Sequence, residues 1–128
     1  MKNEIKSRDA LKDIVEEIKK REPESKIVTT NGCFDILHSG HLYIFERAKY
    51  LGKYLIVGIN SEESVRKYKG SDRPINSEND RALLVAALKP VNYITIFNED
   101  TPIEFFNLLK PDFHVKSKSG FTGIEKYK

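Results

Sequence analysis

Two histidines in one short segment are the side chains of this chain best placed to do chemistry. His38 and His41 lie three positions apart in the segment Asn31–His41, with Gly40 between them. At the first turn of a helix, residues at this spacing face nearly the same side, and the glycine permits close approach of a ligand. A helix N-terminus adds N–H groups and partial positive charge. The pattern predicts a triphosphate cradle in which imidazoles stabilise charge on an α-phosphate and on departing pyrophosphate.

The turn before these histidines differs from the common phosphate loops. It contains neither a G-x-G-x-x-G pattern nor a Walker lysine. Backbone amides around Cys33 and Phe34 are expected to extend the cradle. Asp35 has two interpretations of equal weight, a cap of the turn or a group at the reacting phosphates.

Other interpretations of the same residues stay open. Cys33, Asp35, His38 and His41 could together supply four zinc ligands, and the histidines could also be a surface pair without a ligand. Phosphate binding is favoured because a glycine-flanked turn follows a strand. His114, inside an expected strand, is interpreted as a packed structural histidine.

Several cations are candidate phosphate contacts. Lys69 and Arg73 lie in or beside a polar loop, and Lys116 follows a late strand; solvation of the surface is the competing explanation for the loop cations. Arg81 lies near a helix start, where a cation opposes the helix dipole, and this position suggests an anionic partner.

Helical and strand patterns alternate along the chain and must position these groups. Apolar spacing, β-branched runs and capping residues predict four strands, over 26–30, 54–59, 91–97 and 113–115. They also predict five helices: 8–21, Gly40 to a stop at Gly52, the Asn60–Ser61 cap to Tyr68, Ser77 to before Pro90, and one opened by a capping box at 101–104. In the last two helices the residues predicted to face inward are Leu84, Ala87 and Leu88, and Phe105, Leu108 and Leu109.

This alternation predicts an α/β fold: a single Rossmann-like domain over residues 1–128, with a parallel sheet and helices on both faces. Residues 1–24 would form an N-terminal helix packed on the outside, and residues 25–116 the nucleotide-binding core. Ligands of such sheets bind beyond the carboxyl ends of the strands, where strand order reverses. The chemistry is therefore expected after Asn31.

Composition excludes several classes of protein. Hydrophobic residues make up 39% and charged residues 32%, and 22 basic and 19 acidic residues are interspersed to give a net charge of +3. No concentrated basic face points to nucleic acid, and no apolar run suits a membrane span or secretory signal. With a single cysteine as well, we expect a cytoplasmic protein without nucleic-acid or membrane partners.

The segment from Gly32 to Asp35 leading into His38–His41 resembles the HxGH nucleotidyltransferase superfamily, and its cytidylyltransferase-like branch in particular. Within that branch the sequence is most similar to the heptose 1-phosphate adenylyltransferase domain. The similarity extends over residues 25–116 and includes three collinear groups: Asn31–Asp35, Lys69-Gly70 with Arg73-Pro74, and Asp100-Thr101-Pro102.

The resemblance implies AMP transfer from ATP to a sugar phosphate resembling heptose 1-phosphate, with release of pyrophosphate and no covalent enzyme intermediate. It also implies Mg²⁺ bridging phosphate oxygens rather than a protein metal cage, and a homodimer. By the same resemblance, the residues fall into three overlapping sets: catalytic His38, His41, Asp35 and Lys69; nucleotide-binding Gly32, Cys33, Phe34, His38, Gly40, His41 and Arg81; acceptor-binding Asp35, Lys69, Arg73 and Lys116.

One segment departs from the heptose-type pattern. Those domains typically continue Lys-Gly-Gly-Asp-Tyr after the last strand, whereas this chain reads Lys-Ser-Lys-Ser-Gly-Phe over residues 116–121 and lacks the acid. Two alternatives follow: a cytidylyltransferase acting on glycerol 3-phosphate or a similar alcohol phosphate, and a nucleotide-binding module without turnover.

Overall fold

The fold is a six-stranded sheet with helices on both faces. The computed structural model describes residues 4–98, 103–118 and 123–127. Its strands are β1 (Glu4–Ile5), β2 (Ile27–Gly32), β3 (Tyr54–Asn60), β4 (Tyr93–Phe97), β5 (Phe113–Lys118) and β6 (Gly123–Tyr127). Its helices are α1 (Arg8–Arg21), α2 (Ser39–Lys49), α3 (Glu62–Lys69), α4 (Glu78–Ala86) and α5 (Ile103–Leu109).

Strand order places the end of β2 at the centre of the sheet. The order is β1-β4-β3-β2-β5-β6, and all neighbours are parallel except the β5–β6 pair. The chain adds β3 and β4 on one side of β2 and then crosses to place β5 on the other. Strand order thus reverses at β2, whose carboxyl end carries the predicted cradle.

Serine side chains fix the starts of three helices. Ser7, Ser61 and Ser77 are the N-caps of α1, α3 and α4, and each hydroxyl accepts a hydrogen bond from the amide three residues later. Such a bond satisfies one of the amides that a helix start leaves without an intrahelical partner. The starts predicted at these serines are confirmed.

Two apolar clusters hold the helices to the sheet. On one face α2 and α4 bury Phe45, Ala48 and Val85 against the strands, and on the other α1 and α5 bury Leu11 and Phe105. Each fully buried side chain of this size contributes about 1.5–3 kcal/mol. The predicted α/β class with helices on both faces is confirmed.

Several predicted details were wrong. The strand predicted to end near residue 30 continues through Gly32, and the strand predicted from Val91 begins at Tyr93. The short strands β1 and β6 were not predicted, and β6 makes the sheet mixed rather than wholly parallel. The predicted capping box includes Thr101 and Pro102, which lie outside the described residues. No helix within the described ranges is long and apolar enough to cross a membrane.

The buried face of α4 also differs from the prediction. Leu84 is 51% exposed, whereas Ala82, Val85 and Ala86 are buried. Small side chains at 82 and 86 let the helix lie close to the sheet, and this rotates the larger leucines toward the surface.

Candidate active site

A cavity of about 360 Å³ opens at the carboxyl end of β2. It brings together the end of that strand, the following turn, the first turn of α2, the end of α3 and the loop after α3. Its lining residues are Asn31, Gly32, Cys33, Phe34, Asp35, Ile36, His41, Lys69 and Arg73.

The two histidines cap the N-terminus of α2 reciprocally. Nδ1 of His38 accepts a hydrogen bond from the amide of Gly40 at 3.1 Å, and Nδ1 of His41 accepts one from the amide of His38 at 3.2 Å. The ring centroids lie 4.2 Å apart. A neutral imidazole whose Nδ1 accepts must carry its proton on Nε2. Backbone geometry therefore makes Nε2 the donor nitrogen of both rings.

This cap corrects one expectation about the helix start. Unpaired amides of the helix start were expected to face a ligand, but those of His38 and Gly40 donate to the imidazoles. A ligand at this helix start would therefore meet the Nε2–H groups of the imidazoles rather than these two backbone amides.

His41 is held by an aromatic wall. The ring of Phe34 meets the ring of His41 edge-on at 5.5 Å and that of Phe45 at 5.2 Å. A Cβ atom at Gly32 would lie 2.9 Å from the Phe34 ring, so this wall requires glycine. Burial, with the neighbouring His38, lowers the pKa of His41, which favours the neutral ring.

Asp35 clamps the loop that follows α3. Its carboxylate accepts hydrogen bonds from the amides of Ile75 and Asn76, both at 2.9 Å, and Nη1 of Arg73 lies 3.4 Å away. The Asn76 side chain donates to the Asp35 carbonyl at 2.6 Å. Burial raises the pKa of Asp35, but the two amides and Arg73 together lower it by more. The pKa of Asp35 therefore lies below its ordinary value. Asp35 was expected either to cap the turn or to act at the reacting phosphates, and these contacts favour a structural role in which it holds the loop to the turn.

Arg81 holds the turn after β2 through hydrogen bonds to backbone carbonyls. It is fully buried, its Nε donates to the Asn76 carbonyl, and its Nη1 donates to the carbonyls of Cys33 and Asn60, each at 2.7 Å. Its Nη2 has no hydrogen-bond partner among the described residues. The predicted nucleotide contact is corrected accordingly: backbone carbonyls, rather than an anion, account for a cation at this helix start.

The sequence of this whole region matches a known family. A family model described as cytidylyltransferase-like matches residues 29–127. The chain belongs to the cytidylyltransferase-like family. The resemblance found in the sequence is confirmed.

Several curated relatives of this cytidylyltransferase-like chain share a name. It is 51% identical over 112 residues to the bifunctional protein HldE of Nitratiruptor sp., an alignment that covers 88% of the chain and 24% of that protein. It is 57% identical over 93 residues to the HldE protein of Helicobacter pylori strain Shi470, an alignment that covers 73% of the chain and 20% of that protein. The chain thus spans about a quarter of the length of these curated relatives or less.

A solved structure shares the fold. The lipopolysaccharide core biosynthesis protein from Thermoplasma volcanium matches with a TM-score of 0.63 and 32% identity, over 70% of this chain and 72% of that one.

The remaining predicted residues divide by position. Lys69 and Arg73 line the cavity of this cytidylyltransferase-like domain, and their phosphate contacts stay predictions. Lys116 is exposed near the carboxyl end of β5 and lies outside the cavity lining, so its role as an acceptor contact also stays a prediction.

The structure gives three of the four candidate zinc ligands, Asp35, His38 and His41, other partners. Both Nδ1 atoms and the Asp35 carboxylate accept backbone hydrogen bonds. Within the described ranges, no group of three or more His, Cys, Asp or Glu residues could hold a metal ion.

Sequence reasoning missed two residues of the site. Asn31 lines the cavity, and Asn76 holds the loop to the turn. Their positions gave some signal, since Asn31 is the polar residue that ends a buried strand and Asn76 follows Arg73-Pro74, a pair already matched to the family.

Proposed function

We propose that this chain is a nucleotidyltransferase that moves AMP from ATP to a sugar phosphate resembling heptose 1-phosphate, with release of pyrophosphate. The observation that carries the proposal is the reciprocal histidine cap, which fixes an Nε2–H donor on each ring at the reversal of strand order. His41 lines the cavity there, and His38 is exposed outside that lining with its ring 4.2 Å from the ring of His41. The family match and the HldE relatives support the reaction class. The collinear heptose-type motifs support ATP and the sugar phosphate.

The reaction is an in-line displacement at phosphorus. An oxygen of the acceptor phosphate attacks the α-phosphorus of ATP, a P–O bond forms, and the bond to the β-phosphate bridge breaks as pyrophosphate leaves. The acceptor oxygen is already anionic, so no side chain has to remove a proton from it. The protein contributes position and charge.

The described side chains divide this work. The Nε2–H groups of His38 and His41 donate to oxygens whose negative charge grows in the transition state. Lys69 and Arg73 bring positive charge to the lining of the cavity. Asp35 and Arg81 act indirectly, because they fix the loop and the turn that carry these groups.

Mg²⁺ enters this proposal as part of the substrate MgATP. The Asp35 oxygens accept backbone amides, and the described residues include no cage of three protein ligands. The triphosphate oxygens therefore hold the ion, as is common for Mg²⁺ at nucleotide sites. A cytoplasmic location and a homodimer, both expected from the sequence, belong to the proposal, and sedimentation velocity tests the dimer.

Pyrophosphate release tests the proposal. ATP and CTP are each supplied with Mg²⁺ and with either a heptose 1-phosphate or glycerol 3-phosphate. We expect release with ATP and the heptose 1-phosphate. Release only with CTP and glycerol 3-phosphate would assign the chain to cytidylyl transfer. ATP binding without release from any pair would make it a binding module.

A further inference from the structure

A buried histidine outside the cap joins the two strands between which strand order reverses. His114 of β5 is 2% exposed. Its Nδ1 lies 2.7 Å from the hydroxyl of Thr29, and its Nε2 lies 2.9 Å from Oδ1 of Asn31. The Phe106 ring packs edge-on against it at 4.0 Å. Thr29 and Asn31 are two residues apart on β2, so both face the same side of the sheet as His114.

The protons in this chain of contacts can be assigned. If Nδ1 carried the proton, it would donate to Thr29, and the buried Thr29 hydroxyl would have no acceptor among the described contacts for its own hydrogen. If Nε2 carries the proton, Thr29 donates to Nδ1, and Nε2 donates to Asn31 Oδ1. Only this second arrangement satisfies every buried group, and buried groups left unsatisfied are costly. Burial lowers the pKa of His114 to about 4, so the ring is neutral at pH 7.

This arrangement fixes the orientation of the Asn31 amide. An amide with its oxygen turned to His114 presents its NH₂ group at the other end, and Asn31 lines the cavity. Asn31 thus adds a neutral amide to a cavity lining that also includes His41, Lys69 and Arg73.

We propose that Asn31 is a phosphate-binding residue of this cavity, and that His114 is the positioning residue that keeps its NH₂ group directed at the ligand. The inference rests on the proposed function for the identity of the ligand, a nucleoside triphosphate or the phosphate of the acceptor. Both sources offer the same chemistry, an anionic phosphate oxygen accepting an amide N–H.

Two substitutions at position 114 separate positioning from packing. In His114→Gln, the new amide nitrogen occupies nearly the position of Nε2 and can still donate to Asn31. In His114→Asn, the shorter side chain reaches only the Nδ1 position, so it keeps a partner for Thr29 and loses Asn31. Dissociation constants for MgATP and for a heptose 1-phosphate are measured by calorimetry, and folding of both variants is verified by urea denaturation.

We expect affinity for at least one ligand to fall about tenfold in His114→Asn and to remain near wild type in His114→Gln. Asn31→Asp keeps the acceptor for Nε2 but replaces the NH₂ group with a negative oxygen, and we expect a loss of about 100-fold. Equal affinity in wild type and Asn31→Asp for both ligands would overturn the phosphate-binding role. Equal losses in the two His114 variants would overturn the positioning role.

The His114 tautomer can be observed without any ligand. Long-range ¹⁵N–¹H spectra at neutral pH should show the proton on Nε2, and a proton on Nδ1 would overturn the inference. The inference and the proposed function can fail separately. Asn31-dependent ATP binding without pyrophosphate release would remove the function alone, whereas turnover unaffected by Asn31→Asp would remove the inference alone. A wild-type chain that binds neither ligand would contradict both.

Discussion

Single protons decide what this site can do. Each imidazole of the His38–His41 pair accepts a backbone amide at Nδ1, so the helix start selects the tautomer of the neutral ring, with its proton on Nε2. The same kind of constraint acts on His114 through Thr29. Backbone geometry thus selects the tautomers of the site before any ligand arrives.

The cap allows the donor role of His41 to be tested apart from its structural role. In His41→Asn, the new Oδ1 can still accept the amide of His38, but the Nε2–H donor is lost. We expect kcat to fall about 100- to 1000-fold, the usual scale for one transition-state donor. The midpoint of urea unfolding should change little. Wild-type turnover in this variant would contradict the assigned role.

His114 should make the stability of the fold sensitive to acid. Its pKa is lowered from 6.5 to about 4, by burial first and by Lys116 second. Between these values the unfolded chain binds a proton that the folded chain excludes, so stability is complete above the higher value and is lost as pH falls toward the lower one. Between about pH 7 and about pH 5 the loss should be about 2 kcal/mol.

Urea denaturation of wild type and His114→Gln at both pH values checks this expectation. Glutamine does not titrate, so the variant should lose about 2 kcal/mol less than wild type over the same interval. The other titratable groups are the same in both proteins, so their contributions cancel in the comparison. Identical pH dependence in the two proteins would contradict the lowered pKa.

Sequence alone predicted some of these residues because their type and spacing suffice. The spacing of His38 and His41 and the glycine between them predicted their place at a helix start, which the structure confirms, while their contact with phosphate stays a prediction. The roles of Arg81 and Asn31 depend on which carbonyl or imidazole lies beside them in three dimensions. Those neighbours come from segments up to 83 positions away, and local patterns carry no information about them.

Among the elements, the loop after α3 is held to the turn by the Asp35 carboxylate together with the Asn76 and Arg81 side chains. In Asp35→Asn, one oxygen that accepts a loop amide is replaced by an NH₂ group that faces a donor. We expect a loss of about 1–3 kcal/mol in the free energy of unfolding, together with faster hydrogen exchange at the amides of Ile75 and Asn76. Asp72→Asn, at an exposed position of the same loop, is the control and should change stability by less than about 0.5 kcal/mol. Equal stability of the two variants would contradict the clamp.

The turn after β2 depends on the absence of a side chain at Gly32. An added Cβ would lie 2.9 Å from the Phe34 ring, which in turn packs against His41. We expect Gly32→Ala to displace this wall and to lower kcat about 10- to 100-fold, since small displacements of catalytic groups are costly.

Gly52→Ala provides the comparison for this prediction. There the added Cβ would lie 2.6 Å from the Lys26 carbonyl, away from the cavity. This variant should lose stability while its folded fraction keeps normal kcat. If both variants lowered kcat per folded molecule equally, the specific effect assigned to the Phe34 wall would be wrong.

Strong periodicity and explicit caps made most elements predictable. α1 was predicted over its full range, and β3 was predicted except for its last residue. The face of α4 could not be predicted correctly, because the largest apolar residues were taken as buried and small residues set the actual approach to the sheet. β1 has two residues, too few to show the alternation of apolar and polar side chains that identifies a strand in a sequence.

At the scale of the whole molecule, the reversal of strand order creates the site. β2 lies between β3 and β5, and the turn that follows it meets the end of α3 and the loop clamped by Asp35. The alternation of helices and strands predicted a parallel sheet with the chemistry after Asn31, but the strand order itself was not predicted. The HldE relatives are about four times as long as this chain.

³¹P NMR of the chain with MgATP and a heptose 1-phosphate tests the central claim most directly, because it observes every phosphorus atom of substrates and products. The proposed reaction predicts that the ATP signals are replaced by free pyrophosphate and by the paired signals of a new diphosphate joining AMP to the sugar, and that His41→Asn leaves ATP intact over the same time. Formation of ADP instead, or ATP unchanged by the wild-type chain, would contradict adenylyl transfer.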